Sequence, residues 1–266
     1  MSPLKYAFNW LCFWWLSALF RSKKVYTVVG LRRSGNHACI NWLANALERQ
    51  PVSWEEQDGC FSCSVTGRTV LFNEANWFGV AELLRIVWRY RQSWQQASFV
   101  IISLEDWLPS ACSPYVPRGS VSIAVTRSCL NLIASRIQRA VNQAEQGLDR
   151  GDMRVDKHFI RRLKWLHDAE QHQWLHWHYD DWLVNGEYRS RFLQALMLSY
   201  DRMPAISSQG GGSSFSHHQG PPDPDQARTR WTQVRWPERI VQLLTAEPAC
   251  SLLTHEEQAF IREFLD

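Results

Sequence analysis

The segment that most constrains this chain runs from Val25 to Gln50: VYTVVG, then LRRSGN, then HACINWLANALERQ. Val25–Gly30 is a short β-rich run, the composition of a strand buried on both faces. Ile40, Leu43, Ala44 and Leu47 then fall at i, i+3, i+4 and i+7, which is one face of a helix. Between the two lies a short polar turn, Gly30-Leu31-Arg32-Arg33-Ser34-Gly35-Asn36-His37. The first amides of a helix have no intrahelical acceptors and carry partial positive charge. A strand that enters a helix through such a turn is therefore suited to holding an anion. Arg32 and Arg33 add full charge and forked donors that match phosphate or sulfate.

The G-x4-G spacing of Gly30 and Gly35 matches the loop of NTPases, but that loop continues with Lys and then Ser or Thr. Here Asn36 and His37 follow. The chain thus lacks both the phosphate-binding lysine and the magnesium-binding hydroxyl. A nucleotide-dependent kinase or NTPase with a degenerate loop stays open as an alternative, as does an ordinary tight turn with solvated arginines.

The rest of the chain alternates. Thr69–Phe72, Ser98–Leu104 and Ser120–Thr126 are further strand candidates. Leu130–Gln146 predicts a helix stopped by Gly147. Residues 80–94 and 156–178 are helical in pattern, and so is Asp180–Leu198 with an interruption near Asn185-Gly186. Residues 204–226 are a loop by composition, and helix returns from Arg228. This alternation predicts an α/β fold with a central, mostly parallel sheet flanked by helices. Ligands in such sheets bind at the carboxyl ends of the strands. At 266 residues the chain is long enough for one such domain, which we assign to residues 25–266.

Residues 1–24 stand apart. Tyr6–Phe20 is apolar and strongly aromatic, yet shorter than the ~20 residues that span a bilayer. Lys5 precedes it, and Arg21, Lys23 and Lys24 follow. Two readings are open: residues 5–24 lie as an interfacial helix on a membrane surface, or they pack on the domain itself. Seven cysteines at irregular spacing imply no disulfide framework and point to a reducing compartment. The expected location is therefore cytoplasmic, peripheral to a membrane if residues 5–24 bind one. A net charge of +3 without a basic block argues against a nucleic-acid partner. His172 and His176 would lie one turn apart on a helix, but no carboxylate completes a metal motif. With His167 and His178 they are expected to decorate a solvated basic helix, and Cys60-x-x-Cys63 lacks the second pair that a zinc site wants.

RRSGNH followed by an apolar helix resembles the 5′-phosphosulfate loop of sulfotransferases. These enzymes have a P-loop-NTPase-like fold and use 3′-phosphoadenosine 5′-phosphosulfate (PAPS). Their commonest loop reads Pro-Lys-Ser-Gly-Thr-Thr. Arg33 stands at the lysine position, and Asn36-His37 replace the threonines while keeping hydrogen-bonding capacity. A second block, SIAVTRSCLNLIASRIQRA, resembles the family's 3′-phosphate segment, with Arg127 at the strand end and Ser135 on the helix. Ser128 stands where that family usually has Asp. Arg127 and Ser135 are about two helical turns apart, which suits a phosphate held against the helix N-terminus. Tyr179-Asp-Asp-Trp-Leu resembles the Tyr-Glu-Asp-Leu segment, whose tyrosine approaches the adenine. Gly210–Phe215 occupies the place of a late glycine-rich loop, followed by Arg228, Arg230 and Trp231.

The resemblance implies transfer of a sulfuryl group from PAPS to a hydroxyl or amine of a small molecule, glycan or lipid, without a metal. The implied cofactor-binding set is Arg32, Arg33, Ser34, Gly35, Asn36, His37, Arg127, Ser135, Tyr179, Gly211, Gly212 and Ser213. Arg33 and His37 would stabilise charge on the leaving group. In the cytosolic branch of the family a histidine just after the third strand is the base, and other branches use a glutamate there. Glu105 falls at that place beside Asp106, and Glu74 is the second candidate. A non-catalytic, membrane-associated relative is a further reading of the same residues.

Overall fold

The computed structural model describes residues 20–56, 63–74, 91–106, 119–147, 154–204 and 228–264, with a few isolated positions between them. The apolar run before Phe20, Cys60 and the glycine-rich segment with Gly211, Gly212 and Ser213 lie outside the described residues.

Seven strands form one sheet: β1 (Lys24–Gly30), β2 (Glu55–Glu56), β3 (Cys63–Thr66), β4 (Thr69–Phe72), β5 (Phe99–Glu105), β6 (Val121–Thr126) and β7 (Leu175–His178). Their order is β2-β3-β4-β5-β1-β6-β7. β4, β5, β1, β6 and β7 run parallel, while β2 and β3 extend the β4 edge antiparallel. The helices bounded within the described residues are α1 (Asn36–Glu48), α2 (Arg91–Gln96), α3 (Cys129–Glu145), α4 (Lys157–His167), α5 (Tyr179–Val184), α6 (Gly186–Ala195), α7 (Glu238–Thr245) and α8 (His255–Arg262).

Both faces of the sheet are covered, which is why its central strands read as unbroken apolar runs. Alternation along β1 sends Val25 and Val29 to one side, where they pack with residues of α3, α4, α7 and α8. Tyr26 and Val28 go to the other side, with residues of α1, α5 and α6. The α1 positions Ile40, Leu43, Ala44 and Leu47 are all buried there, as the helical spacing predicts.

The pattern over residues 156–178 does not form one helix. α4 stops at His167, a 3-10 turn covers Ala169–His172, and Leu175–His178 is the edge strand β7. Gln173 turns the chain in the left-handed region, at φ 62. Trp174 N–H then closes on the Ala169 carbonyl at 3.1 Å. Two gains outweigh the helical pattern. β7 pairs with β6, and Trp177 becomes fully buried, 5.0 Å from Trp182 between ring centroids. His172 and His176 therefore do not share a helix face, and His172 instead stacks on Trp165.

The chain passes from β1 to the edge strand β2, steps back through β3, β4 and β5 to lie beside β1, then crosses β1 to reach β6 and β7. The winding reverses at β1, between β5 and β6, so a crevice opens at their carboxyl ends. The loops after Gly30, Glu105 and Thr126 all converge on it.

Candidate anion-binding site

The loop after β1 is held by its own geometry. Ser34 N–H donates to the Leu31 carbonyl at 3.0 Å, which closes the turn. Gly35 has φ 105, and a Cβ there would sit 2.4 Å from Cδ2 of Tyr179. Only glycine meets both conditions. Arg33, at φ 77, is also left-handed. α1 starts with no side-chain cap and no acidic residue in its first turn. Its leading amides thus face the crevice without an intrahelical acceptor.

One wall of the crevice is acidic. Asn36 Nδ2 donates to Glu105 Oε1 at 2.8 Å, and Ser34 Oγ donates to Asn36 Oδ1 at 3.1 Å. Arg32 Nη2 pairs with Glu74 Oε2 at 3.0 Å, while its Nε lies 3.6 Å from Glu105 Oε2 and 3.8 Å from Asp106 Oδ2. Burial pushes the Glu105 carboxyl up; the neighbouring Asp106 charge adds to this, while the Asn36 hydrogen bond and Arg32 oppose it. Burial and then the Glu105 charge also raise Glu74, against Arg32. Burial lowers His37, with Glu74 opposing and Arg33 assisting. Its Nδ1 is buried with no hydrogen-bond partner among the described residues. Glu74 and Asp106 both adopt positive φ, 48 and 53. Backbone strain of this kind, gathered at three strand ends, costs roughly 1–3 kcal/mol per residue and collects at functional sites.

The other wall is basic. Arg33 Nε donates to Ser135 Oγ at 3.3 Å. The Arg127 guanidinium lies 4.8 Å from the centroid of the Tyr179 ring, and its Nε is 3.6 Å from Asp180 Oδ1. Arg33 is pushed down to about 10, first by burial and then by Arg139, Arg127 and Arg230. Arg230 is likewise pushed down to about 10 by burial and Arg127, with Tyr179 and Asp180 opposing. Arginines from the β1–α1 loop, the β6–α3 loop, α3 and the 3-10 turn Arg230–Gln233 thus repel one another across a confined space. An anion placed among them relieves that repulsion.

One expectation is corrected here. The N-terminus of α3 is expected to present open amides to a phosphate, but two of its N–H groups are already bonded to carboxylates. Ser128 N–H donates to Asp180 Oδ2 at 2.7 Å. Ser128 Oγ and Leu130 N–H both donate to Glu257 Oε1 of α8. Ser135 is buried within α3 and bonded to Arg33. The positive charge on this side therefore comes from the arginine side chains rather than from open helix amides.

A second correction concerns His167, His176 and His178, which do not decorate a solvated helix, while His172 is exposed on the 3-10 turn. The rings of His167, His176 and His178 pack edge to edge, with centroids 5.8 to 6.3 Å apart. His176 Nε2 pairs with Thr126 Oγ1. No group of side chains fit to hold a metal ion occurs among the described residues.

The fold therefore brings together Arg32, Arg33, Ser34, Gly35, Asn36, His37, Glu74, Glu105, Arg127, Ser135 and Tyr179. Sequence reasoning missed Arg136, Arg139, Asp180 and Glu257. The Thr254-x-x-Glu257 spacing does mark a helix start, and the capping box forms. Its second contact, across to α3, has no local signal. The chain matches no protein-family model, no curated protein and no solved structure.

Proposed function

We propose that this protein transfers a sulfuryl group from PAPS to a hydroxyl or amine acceptor. The observation that carries the reading is the pairing of two anion sites in one crevice. One is the uncapped start of α1 with Arg33, and the other is the pair Arg127 and Arg230 beyond it. A nucleotide with phosphate on both its 5′ and 3′ sides needs two such sites. The resemblance of the Arg32–His37 and Arg127–Ser135 segments to sulfotransferase motifs supports the same ligand.

In this reading the α1 amides and Arg33 take the 5′-phosphosulfate, and Arg127 and Arg230 take the 3′-phosphate. Tyr179, packed against Gly35 and Arg127, borders the nucleoside. The bond between sulfur and the bridging oxygen breaks, and adenosine 3′,5′-bisphosphate leaves with the electron pair. The acceptor oxygen or nitrogen bonds to sulfur and gives its proton to a carboxylate. Glu105 is the assigned base, with Glu74 the alternative. Both are raised from the ordinary carboxylate range, which brings proton acceptance closer to neutral pH. His37 donates a hydrogen bond to the departing phosphate, and Arg33 stabilises its charge.

A thermal-shift comparison of adenosine 3′,5′-bisphosphate, ATP and NAD tests the ligand, because a ligand that binds only the folded state raises Tm. The bisphosphate is expected to give the largest shift. A larger shift with ATP and magnesium would instead favour an NTPase.

A further inference from the structure

We propose that Asp106 and Arg136 are positioning residues: together they clamp the main chain of Arg32 and so hold the loop in its anion-binding shape. This rests on the reading of that loop as an anion site. Asp106 Oδ1 accepts the Arg32 N–H at 3.0 Å. Arg136 Nη1 donates to the Arg32 carbonyl at 3.2 Å and to the same Asp106 oxygen at 3.2 Å. Both peptide groups flanking the Arg32 Cα are thereby fixed by one ion pair. The pair is itself fixed. Asp106 N–H donates to the Gly30 carbonyl at 3.0 Å, which ties the end of β5 to the end of β1. The Arg136 guanidinium lies 4.8 Å from the centroid of the Phe159 ring on α4, and its side chain is 3% exposed.

The consequence falls on the next residue. Arg33 holds φ 77, a conformation that a non-glycine residue keeps only where its surroundings impose it. Locking the Arg32 carbonyl fixes the peptide that leads into Arg33 and aims its side chain at Ser135. Consecutive residues of α3 thus hold consecutive residues of the loop: Ser135 the Arg33 side chain, Arg136 the Arg32 main chain. The clamp also decides which amides serve an anion. The Arg32 N–H is spent on Asp106, and the Ser34 N–H on Leu31. Neither is open to an anion, whereas the first amides of α1 have no intrahelical acceptor. α3 carries Arg127 just before its N-terminus, so one helix sets the spacing between the two anion sites.

The test uses the full chain with Arg136→Met and with the double variant Asp106→Asn/Arg136→Met. The double variant leaves no unpaired charge from this pair, a replacement that is often tolerated, and Asn accepts the left-handed backbone at position 106. Amide hydrogen exchange over residues 31–38 and calorimetric affinity for inorganic pyrophosphate are both measured, with global stability alongside. The proposal expects exchange in this loop to rise at least tenfold relative to the β1 and β5 amides, and pyrophosphate affinity to fall at least tenfold. A pair with only a structural role would lower Tm and leave both readouts unchanged in the folded protein; that result overturns the proposal. A parent protein that binds pyrophosphate but not adenosine 3′,5′-bisphosphate sinks the PAPS reading and leaves the clamp standing. A parent that binds neither overturns both.

Discussion

At the scale of single residues, the site depends on positions where no other side chain fits. Gly35 combines a left-handed backbone with a Tyr179 ring too close for a Cβ. Gly35→Ala is expected to cost at least about 1–3 kcal/mol from the backbone alone, read as a lower urea midpoint. It should also weaken bisphosphate binding, because the Tyr179 ring must move and Arg127 rests on it. His167 makes a prediction of opposite character. Burial lowers it to about 4, and the neighbouring His178 and His176 push the same way against Asp168. The unfolded chain binds that proton near pH 6.5, so between about pH 6.5 and 4 the unfolded state holds more protons than the folded one. The His167 contribution to stability is thus intact above pH 6.5 and is lost as pH falls toward 4. Urea unfolding at a series of pH values should show a shallower acid-side decline in His167→Gln than in the parent.

At the scale of elements, legibility followed burial pattern. β4 matches its expected bounds, and β1, β5 and β6 fall within a residue of theirs, because strands covered on both faces are short unbroken apolar runs. α1 and α3 were equally plain from their spacing. β7 was not, because Leu-His-Trp-His has no apolar run, and the basic, aromatic residues before it continue a helical period. Its identity is set by pairing with β6 and by the pocket that takes Trp177, neither of which is local. The short antiparallel β2 and β3 carry too few residues to show a period. If β7 is anchored as described, Trp177→Ala should destabilise the protein by about 3–5 kcal/mol in denaturant titration. A change on the helix surface would cost far less.

At the scale of the whole molecule, the site is a product of topology. Residues 32–37, 105–106, 127–136, 179–180 and 230 meet because the winding reverses at β1. The loop and Arg127 could be read from the sequence, since each follows a strand and precedes a helix. Arg136 and Arg139 could not, because only the packing of α3 brings them to the loop, and Arg230 was legible only as a neighbour of the glycine-rich segment. The same packing explains why amides at the α3 N-terminus are already bonded: Glu257 arrives from α8, far along the chain. The central claim is that one crevice holds both phosphates of an adenosine bisphosphate. Calorimetric titration with adenosine 3′,5′-bisphosphate tests it most directly, on the parent, Arg33→Ala and Arg127→Ala. Micromolar-range binding to the parent, about −8 kcal/mol, and at least a tenfold loss in each variant are expected. No binding to the parent, or equal binding to all three, would contradict it.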